Sequence, residues 1–281
     1  MTSPAPPALS RLPADDSLRL RAPDPAADGR QPLLLITGGS RGIGAATAQL
    51  AAAAGWHVAL TYASDATAAA AVVAEVQACG RRAHAWALDV ADEARVLAVC
   101  AEVDAWAAAE GLSLRGLVNN AGVVDRAQRC DEMSGERLRR MVGINLLGAM
   151  YVSREAVRRL STRQGGAGGA IVNLSSVAAR LGSAGQYVDY AATKAALDIW
   201  TQGMAREVAA EGVRVNSVRP GIIDTGIHAS GGQPERAWQL APQIPQQRPG
   251  TAEEIAQTIV WLLAPQSSYT TGAIVEVTGG R

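Results

Sequence analysis

One stretch near the start of the chain limits the fold more than any other. Pro32-Leu33-Leu34-Leu35-Ile36 is an unbroken apolar run, Thr37 to Gly44 reads TGGSRGIG, and an Ala-rich segment follows to Ala54. A short apolar run bounded by turn residues predicts a buried strand, and the Ala-rich segment predicts a helix. A strand that passes into a helix through glycines makes a phosphate site. The glycines allow an unusual backbone path and close approach, while the helix N-terminus presents N–H groups and the positive end of its dipole. The spacing here is Gly-x-x-x-Gly-x-Gly rather than Gly-x-Gly-x-x-Gly. A plain tight turn would also use glycine, but the position between strand and helix favours a nucleotide.

The same alternation continues along the chain. Strands are predicted at His57–Tyr62, Ala83–Leu88, Leu114–Val118, Ala170–Leu174, Val213–Val218 and Ala273–Val277. Helices are predicted at Ala66–Cys79, Glu93–Ala109, Ser134–Thr162, after Tyr187, and at Thr251–Leu263, where Glu253 and Glu254 suit the dipole of the first turn. Strands alternating with helices predict one α/β domain, a doubly wound seven-stranded parallel sheet with helices on both faces.

The end of the second strand bears on which nucleotide is held. NAD sites place an acid there for the ribose 2′-OH. This chain has Tyr62 and Ala63, and no acid before Asp65. Arg41 in the glycine-rich turn offers a guanidinium to a 2′-phosphate, and Ser64 a further hydrogen bond, so NADP(H) is expected, with NAD(H) possible if Asp65 reaches the ribose. Asp89, with Val90 after it, follows the third strand and would either bond an adenine amino group or cap the next helix. Asn119-Asn120-Ala121-Gly122 ends the fourth strand. Its amides suit bonds to neighbouring strands first, and Ala121 and Gly122 leave room for a cofactor against the backbone.

Tyr190 and Lys194 are four residues apart in Tyr190-Ala191-Ala192-Thr193-Lys194. On a helix they share a face, one turn apart. A phenol is a poor acid near neutrality, and a neighbouring ammonium favours its ionised form. A tuned tyrosine is a general acid/base. An ordinary helix with a solvated lysine would show the same two letters, so the rest of the chain carries the reading. Asn145 lies among apolar neighbours and needs a partner for its amide. Local backbone groups would satisfy it.

Composition removes other classes. The 26 basic and 26 acidic residues balance, which gives no basic stripe for nucleic acid. No apolar run is long enough to span a bilayer. Cys79, Cys100 and Cys130 are scattered, odd in number and without metal-ligand spacing, which predicts no disulfide framework, no metal site and a reducing, cytoplasmic setting. His57, His84 and His228 are equally scattered. Residues 1–31 are rich in Pro, Ala, Asp and Arg, with neither a signal-peptide core nor the acid-poor composition of a transit peptide. They are expected to form a disordered or loosely packed tail, or an arm that contacts another subunit.

Taken together, the Thr37–Gly44 turn, Asn119–Gly122, Asn145, Ser175-Ser176, Tyr190 with Lys194, and Pro220-Gly221 occur in the order seen in the short-chain dehydrogenase/reductase superfamily. Over residues 32–281 the chain resembles that superfamily, and within it bacterial glucose-dehydrogenase-like and 3-oxoacyl-carrier-protein-reductase-like members. The resemblance implies a Rossmann fold and roles for matching residues. Tyr190 would be the acid/base, Lys194 would lower its pKa and hold the nicotinamide ribose, and Asn145 would hold a water in a proton relay. Ser176 rather than Ser175 would polarise the substrate oxygen, although its spacing to Tyr190 is one residue longer than in many members. Cofactor contacts would come from Gly38, Ser40, Arg41, Gly42, Ile43, Gly44, Tyr62, Ser64, Asp89, Val90, Asn119, Ala121, Gly122, Tyr190, Lys194, Pro220, Gly221, Ile223 and Thr225. Residues 226–245 would form a lid with a short helix around Trp238, and His228 and Trp238 would either touch substrate or serve lid packing. The expected activity is NADP-dependent hydride transfer to or from the carbonyl/alcohol of a small molecule, in a homodimer or homotetramer. Alternatives are a sugar dehydrogenase working mainly in the oxidising direction and a nucleotide-binding regulator without catalysis.

Overall fold

β1 (Gln31–Thr37) is buried along almost its whole length because it has helices on both sides. Leu34 and Ile36 point into one core with Trp56, Val58, Leu60 and Ile259, while Leu33 and Leu35 point into the other with Val96, Val99, Val152 and Leu160. The unbroken apolar run thus supplies both layers. The structure, a computed structural model, describes residues 20–281, apart from the side chain of His228.

After β1 come α1 (Gly42–Ala53), β2 (His57–Tyr62), α2 (Ala66–Ala78), β3 (Ala83–Ala87), α3 (Glu93–Ala109) and β4 (Leu112–Asn119). The second half runs through α4 (Gly135–Val142), α5 (Ala149–Leu160), β5 (Gly169–Leu174), α6 (Ala178–Leu181), α7 (Val188–Val208) and β6 (Val213–Pro220). It closes with α8 (Ile227–Ser230), α9 (Arg236–Leu240), α10 (Ala252–Leu263) and β7 (Ile274–Val277). All seven strands are parallel, in the order β3-β2-β1-β4-β5-β6-β7. The order reverses between β1 and β4, and in such sheets ligands bind outside the carboxyl ends of the strands at that switch point.

Several expected boundaries move, two of them with a clear physical reason. β4 begins at Leu112, which is fully buried and pairs with Gln31 of β1. The long helix expected over 134–162 is two helices joined by a π-helical turn, Gly143–Gly148. Gly148 sits so close to Val90 that a Cβ there would lie 2.6 Å from a Val90 methyl.

Residues 1–19 of the expected tail lie outside the described residues. Residues 20–30 run along the domain: Leu20 and Ala22 pack against the α1/α2/α10 core, the Ala22 N–H donates to the Ala54 carbonyl at 2.7 Å, and Ala26 is buried.

Candidate active site

The glycine turn and the end of β4 are tied together. The Asn120 amide donates to the carbonyls of Thr37 (3.0 Å) and Gly38 (2.7 Å), and the Ala121 N–H donates to the Thr37 hydroxyl at 3.1 Å. Gly44 has no space for a side chain, since a Cβ would lie 2.4 Å from the Gly38 carbonyl. Gly42 has φ +54°, and Thr225, from the segment after β6, approaches to 3.6 Å of where its Cβ would be. Arg41 is exposed and extended at the N-cap of α1, and no side chain caps that helix. By contrast α2, α3, α4 and α10 are capped by Asp65, Asp92, Ser134 and Thr251. An uncapped helix start beside close-approach glycines fits the pyrophosphate of a dinucleotide.

At the end of β2, Tyr62 is partly buried against the core, and Ala63 and Ser64 are exposed. Asp65 Oδ1 accepts the Ala68 N–H at 2.9 Å and so is engaged in capping α2. Asp89 is exposed at the end of β3, where Oδ1 accepts the Ala91 N–H at 3.0 Å; the helix cap expected of it belongs to Asp92. Val90 is buried beside Gly148.

At the end of β4, Asn119 makes the bonds to neighbouring elements that its amide suited. Its side chain is buried, and its amide donates to Asn173 Oδ1 (2.8 Å), the Ser153 hydroxyl (2.8 Å) and the Ala149 carbonyl (3.3 Å). Its side chain clasps β4 to β5 and α5, which leaves only its backbone for a cofactor. Asn173 continues the clasp to the Thr201 hydroxyl on α7 at 2.8 Å. Asn173 had no sequence signal beyond being polar inside a strand.

Tyr190 and Lys194 share one face of α7, with Nζ 5.7 Å from the phenol ring centroid. Lys194 is almost wholly buried, and Nζ donates to the Leu174 carbonyl at 2.5 Å. Burial pushes its pKa down to about 8, against the opposing pull of the Asp198 carboxylate. Burial also pushes the Tyr190 hydroxyl up, and a hydrogen bond with Ser176 pulls it back. Ser176 is thus a hydrogen-bond partner that favours the phenolate. The two serines separate cleanly: Ser176 Oγ accepts the Ala178 N–H at 3.1 Å and bonds Tyr190, while the Ser175 hydroxyl donates to the Lys194 carbonyl at 3.1 Å.

Asn145 lies in the π turn. Its Oδ1 accepts the Val123 N–H and its Nδ2 donates to the Val123 carbonyl, both at 2.8 Å. The side chain is thus taken up by the backbone after Gly122. A Cβ on Gly122 would lie 3.3 Å from Asn145 Oδ1 and 3.6 Å from Lys194 Nζ, so the absence of a side chain keeps the space in front of Lys194 open.

Pro220 and Gly221 are fixed by neighbouring strands. The Val177 N–H donates to the Pro220 carbonyl, and the Gly221 N–H to the Val277 carbonyl, each at 2.9 Å. Ile223 is buried and bridges to Gly250. In the expected lid, Arg236 of α9 donates to Gln186 Oε1 at 2.6 Å and to Gln233 Oε1 at 2.8 Å. Trp238 is largely exposed and donates to Asp224 at 3.0 Å. A groove of about 290 Å³ lies at the opposite, amino edge of the sheet. Its Arg30, Arg158 and Arg159 pair with Asp28, Glu155 and Asp104 at 2.6–2.8 Å, and it is remote from Tyr190.

The sheet order and the loops at its carboxyl edge define a dinucleotide-binding α/β protein. A family profile described as enoyl-(acyl carrier protein) reductase matches residues 38–281. The chain is 47% identical over 249 residues to an uncharacterized oxidoreductase, YgfF, of Escherichia coli, covering 89% of this chain and 99% of that one. It is 36% identical over 246 residues to the 3-oxoacyl-[acyl-carrier-protein] reductase FabG of Staphylococcus aureus, covering 88% and 96%. A short chain dehydrogenase from Burkholderia cenocepacia, solved in complex with NADP, superposes with TM-score 0.79 at 34% identity, covering 93% and 98%. The chain belongs to the short-chain dehydrogenase/reductase superfamily of oxidoreductases.

Proposed function

We propose that the protein is an NADP(H)-dependent oxidoreductase that interconverts a small-molecule carbonyl and alcohol, with Tyr190 as general acid/base. The observation that carries this is the convergence of Ser176, Tyr190 and buried Lys194 at the carboxyl edge of the sheet, beside an uncapped α1. A nicotinamide cofactor, when bound, supplies or accepts the hydride. The chain's own groups do the rest. The α1 N-terminus with Gly38, Ser40, Gly42, Ile43 and Gly44 holds the pyrophosphate. Arg41 and Ser64 receive the 2′-phosphate, a reading favoured by the engagement of Asp65 with α2 and by the NADP bound in the Burkholderia relative. Gly122 leaves open space beside Lys194 where the nicotinamide end would sit, and Ile223 and Thr225 would also contact it.

In the reducing direction Ser176 donates a hydrogen bond to the substrate oxygen, and Tyr190 delivers the proton to it. Lys194, poised near pH 8, holds the ribose and replenishes that proton. The Asn145 side chain fixes Val123, and in this reading Asn145 also holds the water of a proton relay behind Lys194. The free cysteines suit a reducing compartment, and the exposed Leu138, Val142 and Ile199 suit a homo-oligomer.

The test is a fluorescence titration with NADPH and NADH, for the wild type and Arg41→Ala, followed by NADPH-depletion assays on ethyl acetoacetate, simple ketones and aldoses. NADPH should bind at least tenfold tighter than NADH, and Arg41→Ala should remove most of that margin. Tyr190→Phe should keep NADPH affinity and lose at least 10²-fold in turnover. Oxidation of aldoses with NAD would replace this reading by the sugar dehydrogenase one, and biological activity surviving Tyr190→Phe would favour a non-catalytic binding protein.

A further inference from the structure

Asp189 immediately precedes Tyr190, and only 2% of its side chain is exposed. Its partner is Arg137 of α4, 8% exposed, whose Nε donates to Oδ2 at 2.8 Å and Nη2 to Oδ1 at 3.2 Å. The same guanidinium reaches a third segment, where Nη1 donates to the Arg126 carbonyl at 2.7 Å and to Gln128 Oε1 at 3.0 Å. Gln128 in turn gives its N–H to the Gln186 carbonyl at 3.0 Å, in the turn that leads into α7. The other end of this loop is fixed by the two bonds from Asn145 to Val123.

A buried ion pair is poor value as a stabiliser, because desolvation offsets most of its attraction and an apolar pair of similar shape does as well. What an apolar pair does not supply is direction. A bidentate fork fixes orientation as well as distance, and the remaining N–H groups of Arg137 carry that orientation to the loop.

We propose that Arg137 and Asp189 are positioning residues for the reaction: they lock loop 123–133 and the first turn of α7 into one frame, so that a substrate held by the loop presents its carbonyl oxygen to Tyr190. This rests on the reading of Tyr190 as proton donor. Misplacement of reacting groups by about 1 Å can lower a rate by on the order of 10²-fold. While the pair is intact its opposite charges offset each other at Tyr190, whose shift comes from burial and Ser176. Removing the Asp189 charge leaves a cation that favours the Tyr190 phenolate, and removing the Arg137 charge leaves an anion that opposes it. The other charged or titratable groups around the pair are Asp125, which is ion-paired to Arg140, Tyr187, which lies under Arg236, and Lys194.

The experiment measures NADPH affinity and the pH dependence of kcat and KM for ethyl acetoacetate reduction in the wild type, Arg137→Met, Asp189→Asn and the double variant. NADPH affinity should stay within about threefold and kcat should fall by 10- to 100-fold in every variant. Reduction needs protonated Tyr190, so kcat falls as pH rises through its pKa. That limb should move to lower pH in Asp189→Asn, to higher pH in Arg137→Met, and back toward the wild-type position in the double variant. A purely structural pair would lose activity without opposed shifts, and that result, or kcat retained within threefold, overturns the proposal. If the single variants do not fold, Arg137→Met/Asp189→Leu leaves no unpaired charge. Loss of its kcat at unchanged NADPH affinity supports the proposal, and full kcat overturns it. If the wild type reduces no ethyl acetoacetate, the reductase reading is at fault and the frame is read by amide exchange. At least tenfold faster exchange of residues 123–133 in Arg137→Met supports the lock, and unchanged exchange overturns it.

Discussion

Lys194 shows how a functional side chain can work against the stability of its own fold. Its ammonium is buried with one carbonyl partner, and its pKa falls from 10.5 to about 8. The sign of the linkage follows from proton counts. Between pH 8 and 10.5 the unfolded chain holds a proton at this residue that the folded chain does not, so this group's contribution to stability rises with pH across that window. Below pH 8 the folded state carries the full penalty of the buried charge. Relative to Lys194→Met, the wild type should therefore gain on the order of 3 kcal/mol in unfolding free energy between pH 7.5 and 10.5, measured by urea denaturation at each pH. The same variant should lose at least 10²-fold in turnover, since nothing then replenishes the Tyr190 proton. At this scale the sequence was most legible where spacing alone places two groups together. Tyr190 and Lys194 are such a pair, because helix geometry brings i and i+4 to one face. Asp189 was not legible in this way, because its meaning depends on Arg137, 52 positions earlier.

Elements were legible to the extent that their ends carry local chemistry. Thr251 and Glu254 form a reciprocal capping box at the start of α10, with Arg248 ion-paired to Glu254 and the Glu254 carboxyl held down to about 2. Thr251→Ala should cost about 1 kcal/mol, read as a lowered urea midpoint with unchanged cofactor affinity. Gly44→Ala should behave differently. Its Cβ would strike the Gly38 carbonyl, so the turn itself must shift, and NADPH affinity should fall by at least tenfold. The π turn at 143–148 carried no such local mark. Its extra residue is tolerated because Asn145 bonds across to Val123 and Gly148 nests on Val90, and both partners come from other strands' ends.

The whole molecule leaves several large apolar side chains in water, among them Leu138 and Val142 one turn apart on α4, and Ile199 on α7, which is 68% exposed. Sedimentation of the wild type should give a dimer or tetramer, and Leu138→Lys/Val142→Lys or Ile199→Lys should shift it toward smaller species if those faces are buried between copies. Cys79 and Cys130 are exposed and Cys100 is buried, its thiol pushed up to about 11. A thiol reagent at pH 8 should therefore modify two cysteines in the native protein and the third only after unfolding. The architecture was already legible in the order of the residues. A continuous apolar strand such as β1 must be covered on both faces, and seven strands alternating with helices leave little besides a doubly wound parallel sheet. The same order also determined which loops meet, since the glycine turn after β1 and Asn119–Gly122 after β4 flank the switch point. The partners of the polar side chains there came from the folded chain alone. It turned Asn119 into a strand clasp, gave Asp65 to α2, set Ser176 against Tyr190 and Ser175 against the Lys194 carbonyl, and joined Arg137 to Asp189. Periodicity reports which side of an element is buried, whereas a buried polar group is assigned by the partner it finds across the fold, and that partner is set by packing between segments distant in the chain.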